Sequence, residues 1–240
     1  MKWARVFLTA EWRNLVLLNY EVDAALLRPF VPAGTELDSW NAKVFLSLVG
    51  FQFLKTRVLG LPIPWHSNFD EVNLRFYVRR REGGDVRRGV VFIREIVPRR
   101  AIAYVARTFY NENYAALPMA HDIHTTDENG IAASYRWRSG GVWSEIGFES
   151  KGSPMALQEG SQEQFISEHY WGYAAQRDGG CIEYEVEHLS WRVWQAKDAG
   201  FRGDVDELYG RQFAQVLGGK PTSAFLAEGS AVTVMRGRRL

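Results

Sequence analysis

Cysteine is nearly absent: Cys181 stands alone in 240 residues, so no intrachain disulfide can form and nothing calls for an oxidising compartment. The cytoplasm is the default location. Charge of one sign is also lacking, with 29 Lys and Arg against 28 Asp and Glu. A polyanion binder needs a basic excess to displace counterions, so we expect no nucleic-acid partner. Long apolar runs are missing too. Met1–Tyr20 interleaves Lys2, Arg5, Glu11 and Arg13 with its apolar residues, which leaves neither a secretory apolar core nor a span of about twenty apolar residues. We expect no export signal and no membrane partner. No Gly-rich phosphate loop, dinucleotide fingerprint or nucleophile elbow is present, so no cofactor is expected.

Metal ligands are sparse. His121, Asp122 and His124 fall in a loop rich in Pro, Asp, Thr, Asn and Gly, without cysteine and without a framing pattern, and read as a surface loop. No metal is expected. Cys181 flanks nothing that would lower its pKa, as a nucleophilic thiol requires.

What is present is apolar and aromatic: 46% of the residues are apolar and 14% aromatic, with nine Trp, a composition that suits sheets or an aromatic pocket. Nothing marks a linker or repeat, so residues 1–240 read as one domain. Runs of five to nine apolar residues, punctuated by Gly, Asn, Asp or Pro, predict strands near Arg13–Tyr20, Lys43–Leu54, Val72–Val78, Gly89–Ile96, Ala101–Thr108, Ile131–Trp137, Val142–Phe148, Ile182–His188, Ser190–Gln195 and Ala231–Arg236. Helices are predicted after the caps Asp23, Ser161 and Asp204, the second extending to Gln176 and the third to Leu217. They are too few to cover both faces of a parallel sheet. A mainly β fold is expected, with a largely antiparallel sheet curled or closed into a β-barrel and peripheral helices. The two later helices would pack outside it or against a second subunit, which leaves a homo-oligomer open.

Charge on strands is the functional signal. Alternation along Glu71–Val78 puts Val72, Leu74, Phe76 and Val78 on one face, and Glu71, Asn73, Arg75 and Tyr77 on the other. The polar face is either solvated or the inner wall of a ligand cavity. Arg94 and Glu95 point to opposite faces of an apolar strand, so at least one enters a core or pocket. Arg99 and Arg100 follow Pro98 as a surface turn or as a grip for a carboxylate, which guanidinium groups bind at two points. His188, on the face of Ile182, Tyr184 and Val186, reads as a hydrogen-bonded core histidine.

Glu11-Trp12-Arg13-Asn14 through Tyr20, Asp23–Arg28, Val31-Pro32, the Glu71–Val78 strand, Ala101–Arg107, Leu117-Pro118, Glu168-His169-Tyr170 and His188–Trp191 together resemble the YqjF-like family of uncharacterised bacterial proteins. That family is similar to a branch of the acetoacetate decarboxylase-like superfamily, which implies a β-barrel around a central cavity. In the decarboxylase a strand with Arg-Glu leads to Pro-Lys-Lys, whose first lysine forms a Schiff base while the second lowers its pKa. The similar run here is Arg94-Glu95-Ile96-Val97-Pro98-Arg99-Arg100, two residues shorter between Glu and Pro and with arginine at both lysine positions. Arginine keeps its proton near neutral pH, so the imine chemistry is not expected. The resemblance also places Arg13 near a substrate carboxylate. It puts the decarboxylase's glutamate around Leu59–Pro64, where no acid stands; Asp70 and Glu71 are nearest. Of the six lysines, Lys43 is the alternative amine to check.

Three readings follow. In the first, an enzyme holds a small anionic or keto-type ligand, with Glu71, Arg13 and Glu95 catalytic and Asn73, Arg75, Arg94, Arg99 and Arg100 binding substrate. In the second, a binding protein kept the cavity and lost the chemistry. In the third, the charges are paired networks that support the fold.

Overall fold

The computed structural model describes residues 6–62, 66–98 and 113–240. The strand expected at Ala101–Thr108, and both Arg99 and Arg100, lie outside the described residues.

Strands dominate: β1 (Val6–Val22), β2 (Val44–Val58), β3 (Phe69–Glu82), β4 (Asp85–Val97), β5 (Tyr114–Ala116), β6 (Met119–Thr125), β7 (Ile131–Ser139), β8 (Val142–Ser150), β9 (Trp171–Ala175), β10 (Cys181–His188), β11 (Arg192–Arg202) and β12 (Ser223–Met235). The order β10-β9-β4-β3-β2-β1-β12 returns on itself, because β12 bonds both β1 and β10. From β12 the sheet continues outward through β11, β8, β7 and β6. Pairing is antiparallel except where β4 meets β9 and β5, so the curled sheet is mixed rather than purely antiparallel. No helix among the described residues is long and apolar enough to cross a membrane.

The folded-over part of the sheet gives β1, β2 and β3 two buried faces. On the outer one, Val16, Leu18, Leu48, Leu74 and Phe76 meet Tyr135, Trp137, Ile146 and Phe148. The approach is close at Gly50, where any Cβ would collide with Ile146 and Tyr135. On the inner face, Leu15, Leu17, Phe51, Phe53, Phe69 and Trp191 form a second cluster.

Among the register shifts of the sheet, two decide where the charged residues of β1 and β4 point. In β1, Arg13 pairs with Gln52 but Val16 with Gly50, so one residue is extra, and Asn14 takes a φ of +53°. Tyr135 donates its hydroxyl to the Asn14 carbonyl at 2.9 Å, and Asn14 Nδ2 donates to Gln52 Oε1 at 3.0 Å, which holds the bulge. In β4, Leu74 pairs with Arg94 but Arg75 with Phe92, leaving Ile93 extra.

Several expectations need correction. The helix opened by Ser161, whose Oγ accepts from Gln164 N at 3.1 Å, runs only over Gln162–Ser167 (α2). The remainder becomes β9, because Trp171–Ala175 pairs residue for residue with β10 and tertiary pairing overrides the helical spacing. After Asp204 the chain forms turns, a 3₁₀ turn at Arg211–Phe213 and only Ala214–Leu217 (α3) as α-helix. The His121–His124 segment is not a loop but strand β6, paired in register with β7. The helix after Asp23 is present over Ala24–Leu27 (α1), with Asp23 Oδ1 accepting from Ala25 N at 2.8 Å.

Gly229 has a φ of +81° and faces the β1 bulge, where a Cβ would run into the Trp12 carbonyl and Leu15. Gly34 has a φ of +79° with nothing within 4 Å. Gly34→Ala should therefore lose only the backbone term, about 1 kcal/mol, and Gly229→Ala clearly more, about 2–4 kcal/mol, in urea unfolding. Equal losses would mean that the bulge yields freely.

Candidate functional site

The inner faces of β1, β2, β3, β4, β9, β10 and β12 enclose a cavity of about 190 Å³. Strand β3 supplies its polar floor. Because Val72, Leu74 and Phe76 are committed to the outer cluster, alternation sends Glu71, Asn73 and Arg75 inward, and all three are buried cavity-lining residues. The β4 bulge adds Glu95: with Ile93 extra, Phe92 and Glu95 share the cavity face, and Glu95 sits in register with Asn73. The helix end brings His169 onto the same wall.

Glu71 is a strongly perturbed acid. Burial pushes its carboxyl up to about 7, against the opposing pull of Asn73, Tyr114 and the Arg75 charge. Asn73 Nδ2 donates to its Oε1 at 3.0 Å and the Tyr114 hydroxyl to its Oε2 at 3.2 Å. Arg75 is 8% exposed, and among the described residues its guanidinium forms no hydrogen bond or ion pair; its Nε is fully buried. Its Cζ lies 5.8 Å from the centre of the Tyr77 ring. Beneath it, the Ser47 hydroxyl links Asn19 and Tyr77 at 2.7 Å each.

His169 packs on Tyr77 with ring centres 4.7 Å apart, and its Nε2 lies 3.6 Å from Asp38 Oδ2. Asp38 is in turn held by Arg88 at 3.3 Å. Burial lowers the His169 pKa, Asp38 opposes this, and Arg75 and Arg88 add to it. The other end of the cavity is aromatic. Phe53 stacks on Phe69 at 4.7 Å, Trp12 meets Phe51 and Phe53 edge-on at 5.5 and 5.8 Å, and His188 stacks on Trp191 at 4.3 Å. Trp191 Nε1 donates to Ser230 Oγ at 3.0 Å.

Of the residues expected to converge, Glu71, Asn73, Arg75 and Glu95 do so. Arg13 does not: the bulge at Asn14 puts Trp12 and Leu15 on the cavity face, while Arg13 pairs with Glu11 at 2.9 Å and is 40% exposed. Arg94 also points away, donating to Asn113 Oδ1 at 2.6 Å on the far side of β4. Lys43 pairs with Glu21 at the surface, and none of the described lysines lines the cavity. His121 pairs with Asp70 at 2.9 Å, outside the cavity. Burial raises the Cys181 thiol to about 11, as expected of an inert buried cysteine. His188, expected as a hydrogen-bonded core histidine, lines the cavity, and so does His169. Tyr184, on the same strand face as His188, also lines the cavity, and this aromatic face was the available signal.

A curled, mainly β sheet folded about such a cavity is the acetoacetate decarboxylase-like fold. The structure superposes on acetoacetate decarboxylase from Legionella pneumophila with a TM-score of 0.66 at 12% identity, covering 98% of this chain and 87% of that one. On the enduracididine biosynthesis enzyme MppR complexed with pyruvate, the TM-score is 0.68 at 13% identity, covering 97% and 90%. Within that fold the chain belongs to the DUF2071 family, described as "Uncharacterized conserved protein", which matches residues 9–231. It is 26% identical over 190 residues to the uncharacterized protein YqjF of Bacillus subtilis, covering 78% of this chain and 74% of that protein. The fold is thus acetoacetate decarboxylase-like, and the family is the uncharacterized one that the match over residues 9–231 defines.

Because the carboxyl of Glu71 ionises at a higher pH folded than unfolded, ionisation opposes folding. Its contribution is absent below pH 4.5 and complete above about 7. At about 1.4 kcal/mol per pKa unit this is on the order of 3 kcal/mol. Glu71→Gln should flatten that part of the stability profile between pH 4.5 and 7.5 in urea titrations; an unchanged profile would place the titration elsewhere.

Proposed function

We propose that the chain is an enzyme that moves a proton on a small carboxylate or keto compound held in this cavity, with no imine to protein. The observation that carries this reading is Arg75, a buried guanidinium without hydrogen bond or ion pair among the described residues, beside a carboxyl that titrates near 7. A buried charge left without a partner is strongly unfavourable, and a ligand carboxylate would relieve it while being gripped at two points. Glu71, present in both protonation states at neutral pH, is then suited to general acid–base catalysis. The C–H bond next to the substrate carbonyl breaks, its proton passes to a Glu71 oxygen, and the electron pair moves to the carbonyl oxygen as an enolate stabilised by the Arg75 charge. The reverse step returns the proton. Asn73 orients the Glu71 carboxyl, and Glu95 is the second acid within this wall.

The complex of MppR with pyruvate supports a small keto acid as the ligand class for this fold. That none of the lysines among the described residues lines the cavity supports chemistry without an imine. The β-barrel expected from the sequence is supported by the return of the strand order through β12. A second reading, a small-molecule-binding protein that kept the cavity and lost the lysine pair, draws on Arg99 and Arg100 at the lysine positions.

Arg75→Met should raise the melting temperature of the ligand-free protein, because a desolvated charge leaves, and should abolish stabilisation by pyruvate, acetoacetate and related acids. Thermal unfolding with and without acid reads both effects. If Arg75→Met unfolds the protein and no acid stabilises the parent, the charges are structural. Stabilisation of the parent without turnover of any keto acid, enol or lactone between pH 5 and 9 makes it a binding protein. Borohydride treatment with pyruvate should leave the intact mass unchanged; an added 1-carboxyethyl group, left by reduction of a pyruvate imine, would overturn the imine-free chemistry.

A further inference from the structure

We propose that His188 is a second proton-transfer residue of this cavity, on the wall opposite Glu71, and that the substrate is a branched keto acid inverted at the carbon beside its carbonyl. This rests on the reading of Glu71 and Arg75 given above and adds which face of the substrate each group serves. Strand order sets the opposition. On the closed path β3 and β10 are separated by β4 and β9 in one direction and by β2, β1 and β12 in the other, so they form facing walls. From β3 the cavity receives Glu71, Asn73 and Arg75, and from β10 it receives Tyr184, Val186 and His188. A closed sheet of about eight strands has room inside for one small ligand, so a molecule held on one such wall meets the other. The Arg75 charge acts on Glu71 and His188 alike, which puts the carboxylate anchor within electrostatic reach of both.

The His188 ring is held for this task. Its Nδ1 lies 2.8 Å from the Leu189 carbonyl oxygen, which can only accept, so Nδ1 carries the proton and Nε2 keeps its lone pair. Trp191 stacks on the ring at 4.3 Å and Tyr170 packs on it at 4.8 Å, which fixes its plane. Among the described residues Nε2 forms no hydrogen bond, and unlike both ring nitrogens of His169 it is not sealed from the cavity. One nitrogen oriented by a carbonyl and the other open is the arrangement of a base. Burial lowers the His188 pKa and the Arg75 charge adds to this, while the Leu189 carbonyl and Glu168 oppose it; burial brings Glu71 up to about 7. Two groups poised near neutral pH can pass a proton either way. With a keto acid gripped by Arg75, ionised Glu71 takes the C–H proton from one face, and the electron pair of that bond moves to the carbonyl oxygen. The enolate is planar, so protonated His188 gives its Nε2 proton to the same carbon from the other face, the nitrogen keeping the bonding pair. Neutral His188 and protonated Glu71 run the step backwards. The carbon is inverted, and no oxidant, second substrate or amine is consumed.

The probe is (S)-3-methyl-2-oxopentanoate, a keto acid with a stereocentre beside the carbonyl, incubated with the full chain in heavy water near pH 7. Circular dichroism should show its optical activity disappear, and chiral separation with mass spectrometry should find deuterium in the inverted acid while the remaining S acid still carries protium. His188→Gln and Glu71→Gln should each slow inversion at least about a hundredfold. Each variant should nevertheless exchange one enantiomer with its configuration kept, and the two variants should exchange opposite enantiomers. A structural role for His188 would not produce that split. Deuterium that enters the parent's substrate only with retained configuration, or inversion that survives His188→Gln, would overturn the second base and leave the Glu71 reading standing. If the parent neither exchanges nor inverts the acid, the proton-transfer reading itself fails, and this inference with it. Should His188→Gln not fold, the isotope pattern of the parent decides alone, because a single base either labels both enantiomers alike or carries the original proton across, and both results would overturn the proposal.

Discussion

Strand β3 is buried on both faces, and that constraint organises the molecule. A strand on an open sheet can give its polar side to water. Here β12 bonds both β1 and β10, so the inner side of β3 faces other strands instead. Its outer side is already filled by Val72, Leu74, Phe76 and Val78 against the β7–β8 layer. Glu71, Asn73 and Arg75 then have one place to go, an interior that must accommodate a carboxyl and a guanidinium in low dielectric. The carboxyl answers by titrating near 7; the guanidinium, which cannot release its proton, stays charged. Everything distinctive about the cavity follows from these two responses.

How much of this could be read in advance depended on whether the signal was local. The alternation of Glu71–Val78 is local, and so were the nine strand positions that fall within the described residues. Asp23 and Ser161 act as caps where the sequence placed them. The bulges were not legible, because Asn14 and Ile93 look ordinary in sequence; what makes them bulges is the partner register and, at Asn14, the Tyr135 hydroxyl from 121 residues away. Each bulge moves a charge by one face, which is why Arg13 leaves the cavity and Glu95 enters it. Strand β9 was misread for the same kind of reason. Phe165, Ile166, His169, Tyr170 and Tyr173 carry helical spacing, but Gly172 fits beneath the Tyr184 ring only as a strand residue, and the pairing with β10 decides.

Arginine where the decarboxylase pattern has its lysine pair fits the rest of the charge pattern. A lysine nucleophile works by losing its proton in a cationic surrounding. In this cavity the cation is Arg75, on the β3 wall, and the described lysines sit outside in surface pairs such as Lys43–Glu21 and Lys55–Glu11. A strand-borne carboxyl and a cation lie near one another in this cavity, and none of the described lysines lines it. Likeness of fold at 12–13% identity therefore carries the architecture and not the reaction.

Under the proposed function, Glu71 and Arg75 would also make binding and proton transfer interdependent. An anion arriving at Arg75 adds negative charge near Glu71 and shifts the Glu71 titration further upward, so ligand and proton bind cooperatively; by linkage, anion affinity must fall as pH rises through the Glu71 titration. His169 and His188 sharpen the effect, since burial and the Arg75 charge both hold them toward the neutral form, leaving Arg75 as the fixed positive charge of this wall. Under the proposed function such a site would take up its ligand together with a proton, and that shared proton would be the one Glu71 passes on.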